Sequence, residues 1–395
     1  MCPDTYHPGV PSRSRRVREA LQRALPAASD LAETLGTADA VLRDAVDAQG
    51  SAWGTLDPAT TLSTSCARFG VLDTGADHAE AARARERRLF QLEWADGDPH
   101  TFWDLGRRGL TAAALRAAVP APHDVRRYVE LLEPAGVHDE LRVRLAIDGE
   151  QWATVILYRL EERAFTPADV AAAEAAAPVV ARAVRTAMLR AVCDISAVAI
   201  PPGSLLIGED DHVLVSSAAA EEMLGALPEH QVPTVLANLA TATRARGAAS
   251  LTVSGPAGVL AFHASPAKGV DGAVAAVVER PRAIELSPLI MRALGLTPRE
   301  REVAEELLHG ASRTQLARRL GMAEHTVGDH LRSLYRKAGV AGRAELASLL
   351  YGGHYEPPRS AGVPPSPYGY FVGLDDAPGS AAPPVPRRPH SRVRM

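Results

Sequence analysis

Cysteine is scarce in this chain of 395 residues, confined to Cys2, Cys66 and Cys193 with no CxxC pair. That spacing excludes a disulfide framework and a cysteine zinc site and fits a reducing compartment. Lysine is scarcer still: Lys268 and Lys337 stand alone, and the rest of the basic side chains are arginine. No apolar run approaches the ~20 residues that span a bilayer, and residues 1–20 lack a signal-peptide core. A cytoplasmic protein with no membrane partner is therefore expected. An excess of positive charge is also missing. Formal net charge is −4 at pH 7, so any surface for nucleic acid must be local. The sequence has no GxxxxGK[ST] segment, no HxxxH or HExxH pair, and no GxSxG setting around Ser216 and Ser217. His78, His100, His123 and His138 are scattered. The expectation is a protein without catalysis, metal or cofactor.

What is present is the balance of a folded protein, 46% hydrophobic and 23% charged, long enough for two or three domains. The fold class expected is α+β multidomain. Residues 1–28 carry a PSRSRRVR cluster and read as a flexible basic start. A first folded region runs over 29–190. SAWGTL (51–56) and TLSTSCARF (61–69) read as strands joined by a turn at Asp57-Pro58. Helical patterns follow at 78–95 and 122–133. LRVRLAI (141–147) and QWATVILYRL (151–160) then flank Asp148-Gly149, a strong hairpin signal. FTPADV (165–170) opens a long alanine-rich helix with Thr166 as cap and Pro167 at the first position. The order predicts an antiparallel sheet flanked by helices. All four tryptophans, Trp53, Trp94, Trp103 and Trp152, lie in this region and either line a ligand pocket or fill the core.

Residues 200–283 read as a small α+β unit that either folds by itself or completes the first. SLLIG and HVLVSS (204–217) are strands around the acidic turn Glu209-Asp210-Asp211, and three more strand-like runs end near Arg280. Residues 288–352 are helical throughout. The segment 353–395 holds ten of the chain's 30 prolines, between Pro357 and Pro389, and reads as disordered on composition.

The helical stretch carries the chemistry. Thr297, Pro298 and Glu300 form a capping box at one helix start, and Ser312 with Gln315 repeats it at the next. Ala317, Gly321 and Val327 then follow at intervals of four and six. Two steeply crossing helices need a small residue where their backbones meet. A three-residue turn needs a left-handed backbone, which glycine adopts at no steric cost, and an apolar residue fills the corner. The spacing thus predicts a helix-turn-helix. Seven Arg/Lys stand against Glu324 and Asp329 between Ala311 and Arg343, while Glu300, Glu302, Glu305 and Glu306 crowd the first helix. One face is basic, as a phosphate-facing surface requires.

LTPREREV, GASRTQLARRLGM, HTVGDHLRSLYRKAGV and GRAEL closely resemble the LuxR-type DNA-binding domain over about 60 residues, and the Asp329-His330 pair resembles actinobacterial members. The resemblance implies a four-helix module whose third helix, about 324–338, reads double-stranded DNA, while the fourth contributes to dimerisation. Carried over by position, Gly328, Asp329 and Arg332 face the groove, and Arg313, Thr326, Arg336 and Lys337 belong to the DNA-contacting set. Two positions depart from the pattern: Gly328 stands where lysine is common, and Ala323 where serine caps the helix. Asp329 accepts from a cytosine amino group, repels phosphate, or orients Arg332; the sequence leaves all three open.

A module of this type is an output device, which makes the remaining ~280 residues its regulator. A phosphorylated receiver is rejected, because a strand follows Glu209-Asp210-Asp211 where a helix belongs and Lys268 comes too early. Residues 29–190 resemble a GAF-like domain in their hairpin and following long helix, and residues 200–283 more faintly resemble a PAS-like unit. The reading is a homodimeric transcriptional regulator with RNA polymerase as a further partner and a ligand of unknown identity; the alternative is a protein-interaction scaffold. Cys66 reads as a buried structural thiol or a redox sensor.

Overall fold

The computed structural model describes residues 12–71, 79–94, 97–193, 201–255, 258–281 and 283–352. The first eleven residues and the proline-rich segment 353–395 lie outside the described residues, together with the expectation of disorder made for that segment.

The chain does not begin as a flexible arm through residue 28. Helix α1 (Arg13–Ala24) is capped by Ser12 and runs into a 3-10 turn at Leu25–Ala27. Val17, Leu21 and Leu25 recur every four residues and are buried, an apolar stripe that the arginine-rich composition conceals. Helix α2 (Leu31–Val46) follows, capped by Asp30. The first sheet is antiparallel throughout, in the order β2 (Ser63–Gly70), β1 (Gly50–Leu56), β5 (Glu150–Arg159), β4 (Asp139–Ile147), β3 (Ala112–Ala114). Asp148 and Gly149 both adopt positive φ, and Ile147 pairs with Glu150 across a two-residue turn.

On one face lie α1, α2 and the long helix α6 (Pro167–Cys193), whose Ala172, Ala173, Ala176, Ala177 and Ala181 are buried. Small side chains let this helix sit close to the sheet. Thr166 and Asp169 close a capping box at its start, and Asp169 also takes Arg13 of α1. On the opposite face lie α3 (Ala79–Glu93), α4 (Phe102–Arg107), the four-residue α5 (Leu115–Ala118) and three short 3-10 and π turns over 122–135. Beneath them Glu140 is held between Arg127 and Arg142, with His100 Nδ1 3.1 Å away. Burial pushes the Glu140 carboxyl up, but the two guanidiniums outweigh it and hold it below the ordinary carboxylate range.

The second sheet repeats the connectivity of the first: β7 (Val213–Ser216), β6 (Gly203–Ile207), β10 (Val274–Glu279), β9 (Gly258–Pro266), β8 (Ala249–Gly255). Gly208 and His212 close the β6–β7 turn, and Arg244 holds Asp211 at 2.6 Å, so the acidic triplet is a hairpin turn. The unit also contains α7 (Ala218–Gly225) and α8 (Gln231–Arg246). Its apolar core also takes in Leu62 of the first unit, and its strands do not extend the first sheet. Helix α8 packs against β2 and α3 as well as against its own sheet. Its sequence QVPTVLANLATATRAR is apolar around much of its circumference, which matches an element buried between two units.

The α+β multidomain class holds, with two antiparallel sheets followed by a helical C-terminal module. Because α1 is docked on α6, Leu21→Ala is expected to cost about 2–5 kcal/mol in a urea titration of the full chain. A change near zero would restore the flexible arm.

Candidate nucleic-acid interface and the cavity of the first sheet

Helix α9 (Ala283–Ala293) leads into α10 (Pro298–Leu308), α11 (Arg313–Leu320), α12 (Glu324–Ala338) and α13 (Arg343–Ala347). Both capping boxes form, Thr297 with Glu300 and Ser312 with Gln315. Gly321 ends α11 at φ +63°, its N–H returning to the Ala317 carbonyl. Ala317 and Val327 are buried at the crossing of α11 and α12. Ala323 offers α12 no side-chain cap.

The candidate DNA-contacting residues divide into three groups. Arg332, Asp329 and Arg336 sit on the outer face of α12; Arg332 is 79% and Asp329 62% exposed. Asp329 pairs with Arg332 on the same exposed face. Arg336 donates to Ser333 Oγ at 3.3 Å, and the half-buried Thr326 stands near the start of the same helix. Gly328 presents no side chain outward: it is buried beneath the guanidinium of Arg313, to which a β-carbon would come within 2.5 Å. Arg313 is anchored there by the Glu324 carbonyl at 2.8 Å. A cation from α11 thus lies over the position where a lysine of α12 is common in the resembling family.

Lys337 does something else. Its ammonium turns inward, 2.7 Å from Glu300 Oε2 and 3.0 Å from the Gly295 carbonyl. It is a tie between α12 and the start of α10 rather than a phosphate contact. Burial would raise the Glu300 carboxyl, yet Lys337, the Thr297 N–H and the Ser333 hydroxyl hold it down to about 2.

The tryptophans also divide. Trp53 is fully buried, its indole N–H 3.0 Å from Asp39 of α2, and Trp152 is fully buried in the same core. Trp94 and the 65%-exposed Trp103 instead border a cavity of about 450 Å³ on the sheet's other face, which Trp53 also touches. Cys66 borders it too. Burial and the nearby Glu86 carboxylate push its thiol up to about 12, which disfavours the thiolate at neutral pH. Sequence reasoning missed Asn238 and Arg246 in that cavity, because both come from α8 of the second unit.

The capped helices, left-handed glycine turn and outward cationic helix define a helix-turn-helix module. Residues 294–350 match the family model of bacterial regulatory proteins, luxR family, and this segment is a luxR-family helix-turn-helix domain. SgaR of Hyphomicrobium methylovorum is 44% identical over 54 residues, 14% of this chain and 26% of that protein. The transcriptional regulatory protein UhpA of Escherichia coli K12 is 41% identical over 58 residues, 15% of this chain and 30% of its own length. The chain thus spans less than a third of either relative. The crystal structure of Escherichia coli SdiA aligns over 87% of this chain and 99% of its own, at 10% identity and a TM-score of 0.27, too low to carry a structural argument. No helix among the described residues is long and apolar enough to cross a membrane.

Two outcomes follow for the module. Lys337→Met leaves the Glu300 carboxylate without its cation and should cost about 1–3 kcal/mol in a denaturant titration. The folded-state pKa of Glu300 is depressed, so its contribution is present above the ordinary value of 4.5 and lost as pH falls toward 2. The stability difference between wild type and variant should therefore shrink across that window. Gly321→Val places a β-branched residue at positive φ and should unfold or misorient the module, read as a loss of duplex affinity.

Proposed function

We propose that the chain is a DNA-binding transcriptional regulator, acting without catalysis, with α12 as its reading helix. The observation that carries the reading is the two-sided character of α12. Val327 and Leu334 are buried and Lys337 is tied inward, while Arg332 and Arg336 stand exposed on the opposite side, flanked by Arg313. Such a helix is positioned by its own domain and leaves a cationic face for the major groove. Its exposed Arg332, paired with Asp329, is the candidate for a base edge, and Arg313 and Arg336 suit phosphates. As a homodimer the protein would set two such helices about one helical turn apart on a two-fold operator.

In this reading the GAF-like first unit and the PAS-like second unit regulate the module. The support is a direct link between them. Glu150, at the tip of the β4–β5 hairpin, lies 2.8 Å from Arg301 of α10 and 3.4 Å from Arg292 of α9, while Asp148 holds Arg185 of α6 at 2.7 Å. One apolar cluster runs from the first sheet through α6 and α9 to Val327 and Leu334. Cytoplasmic location and contact with RNA polymerase belong to the same reading.

Selection of binding sites from a random duplex pool, followed by titration against salt, tests it. A shared motif should emerge with wild type. Arg332→Ala should lose about 1–3 kcal/mol of specific affinity and relax one position of the motif. Arg336→Ala should weaken all duplexes alike and reduce the salt slope by about 1. Enrichment of no motif, or an unchanged motif and affinity in Arg332→Ala, would overturn the reading.

A further inference from the structure

The cavity on the outer face of the first sheet is closed from the far side by α8, so two units share it. Its walls are mostly apolar: Leu56, Leu89, Phe90, Trp94, Phe102 and Trp103 contribute to them. At about 450 Å³ it lies in the range that small-molecule sites occupy. An apolar hollow alone says little about its occupant; the polar groups on its wall say more.

Two carboxylates border it, and both are already engaged. Glu86 takes Arg68 at 2.6 Å and the Thr234 hydroxyl, and Glu93 takes Arg142 and the Phe102 N–H. Three cations border it as well; Arg107 pairs with Asp104 at 3.7 Å, and the other two lack such a partner among the described residues. Arg144 reaches the cavity from β4, and its hydrogen bonds go to neutral acceptors: Gln151 Oε1 at 2.9 Å and the Leu110 carbonyl at 3.3 Å. No carboxylate pairs with it among the described residues, and burial lowers its pKa, the mark of a charge poorly compensated. Arg246 lies 4.0 Å over the Trp94 ring, and among the described residues no carboxylate pairs with it either. Asn238, only 5% exposed, borders the same cavity with a side-chain oxygen that makes no hydrogen bond. A buried amide left unpaired is costly, and an amide can turn over to present either its oxygen or its nitrogen to an occupant.

We infer that this cavity binds a small organic anion, an apolar body bearing one carboxylate, with Arg144 facing the carboxylate, Asn238 supplying a further hydrogen bond and the aromatic walls holding the body. The ligand would complete two deficits that the folded chain leaves open, a guanidinium with no carboxylate partner and an amide oxygen with no hydrogen bond. It would also bridge β4–β5 of the first unit and α8 of the second. This deepens the regulatory reading and rests on it only for the consequence of binding, not for the binding itself.

Calorimetric titration of the full chain with two matched pairs tests the site: decanoate against decanol, and 2-naphthoate against 2-naphthamide. The acids should bind at least roughly tenfold more tightly than their neutral partners, the worth of one charge-assisted hydrogen bond. Arg144→Met should erase that preference, Arg144→Lys should keep part of it, and Asn238→Leu should weaken both acids. Equal binding within each pair, a preference that survives Arg144→Met, or no binding by any of the four compounds at millimolar concentration would overturn the site. Because the acid–neutral comparison is made on wild type, it stands even where a variant fails to fold. Titration of the selected duplex with and without bound acid forms a separate arm. A shift in duplex affinity that disappears in Glu150→Gln, with acid binding intact, supports the regulatory consequence. Acid binding with no shift in duplex affinity keeps the site and overturns the consequence.

Discussion

The packing of α6 is the constraint on which the rest of the molecule depends. Its 27 residues carry a run of buried alanines, so the first sheet, α1 and α2 all approach it closely. Helix α9 packs on the same helix, and with it comes the apolar core of the helix-turn-helix. A larger side chain at Ala173 or Ala177 would therefore disturb more than one neighbour, since close-packed interiors transmit volume changes rather than absorb them. Pro178 lies on the exposed side, where the loss of one backbone hydrogen bond does not break the stripe of alanines.

Within the C-terminal module, electrostatics are split between an inward tie and an outward cationic face. The lysine of α12 is spent inside, where a compact ammonium reaches both a carboxylate and a carbonyl. The arginines remain outside, where a planar guanidinium suits base edges and phosphates. Arg313 lying over Gly328 shows how a missing side chain on one helix can be replaced in space from the next.

Local chemistry made much of this legible in advance. The Asp148-Gly149 turn, both capping boxes, the Thr166 start and the Gly321 turn each depend on residues within a few positions of one another. What escaped depends on partners distant in sequence. Helix α1 looked like a charged arm because Val17, Leu21 and Leu25 are outnumbered by arginine, and only the presence of α6 makes their stripe meaningful. Lys337 resembled a phosphate contact until Glu300, 37 residues earlier, stood beside it. The cavity was partly anticipated through the tryptophans, but Asn238 belongs to a unit whose contact with the first sheet no local pattern announces.

The hairpin that joins the cavity to the module gives the arrangement its logic. Gln151 borders the cavity and its neighbour Glu150 reaches Arg292 and Arg301. Successive residues of a strand point to opposite faces, so in the proposed reading a twist of β5 that suits an occupant on one side would move the ionic clasp on the other. An occupant changes DNA affinity only to the extent that it favours one position of that hairpin over another. Coupling of this kind needs no wire through the molecule. In the proposed reading, two adjacent residues on one strand, each committed to a different partner, would carry the coupling between the two sites.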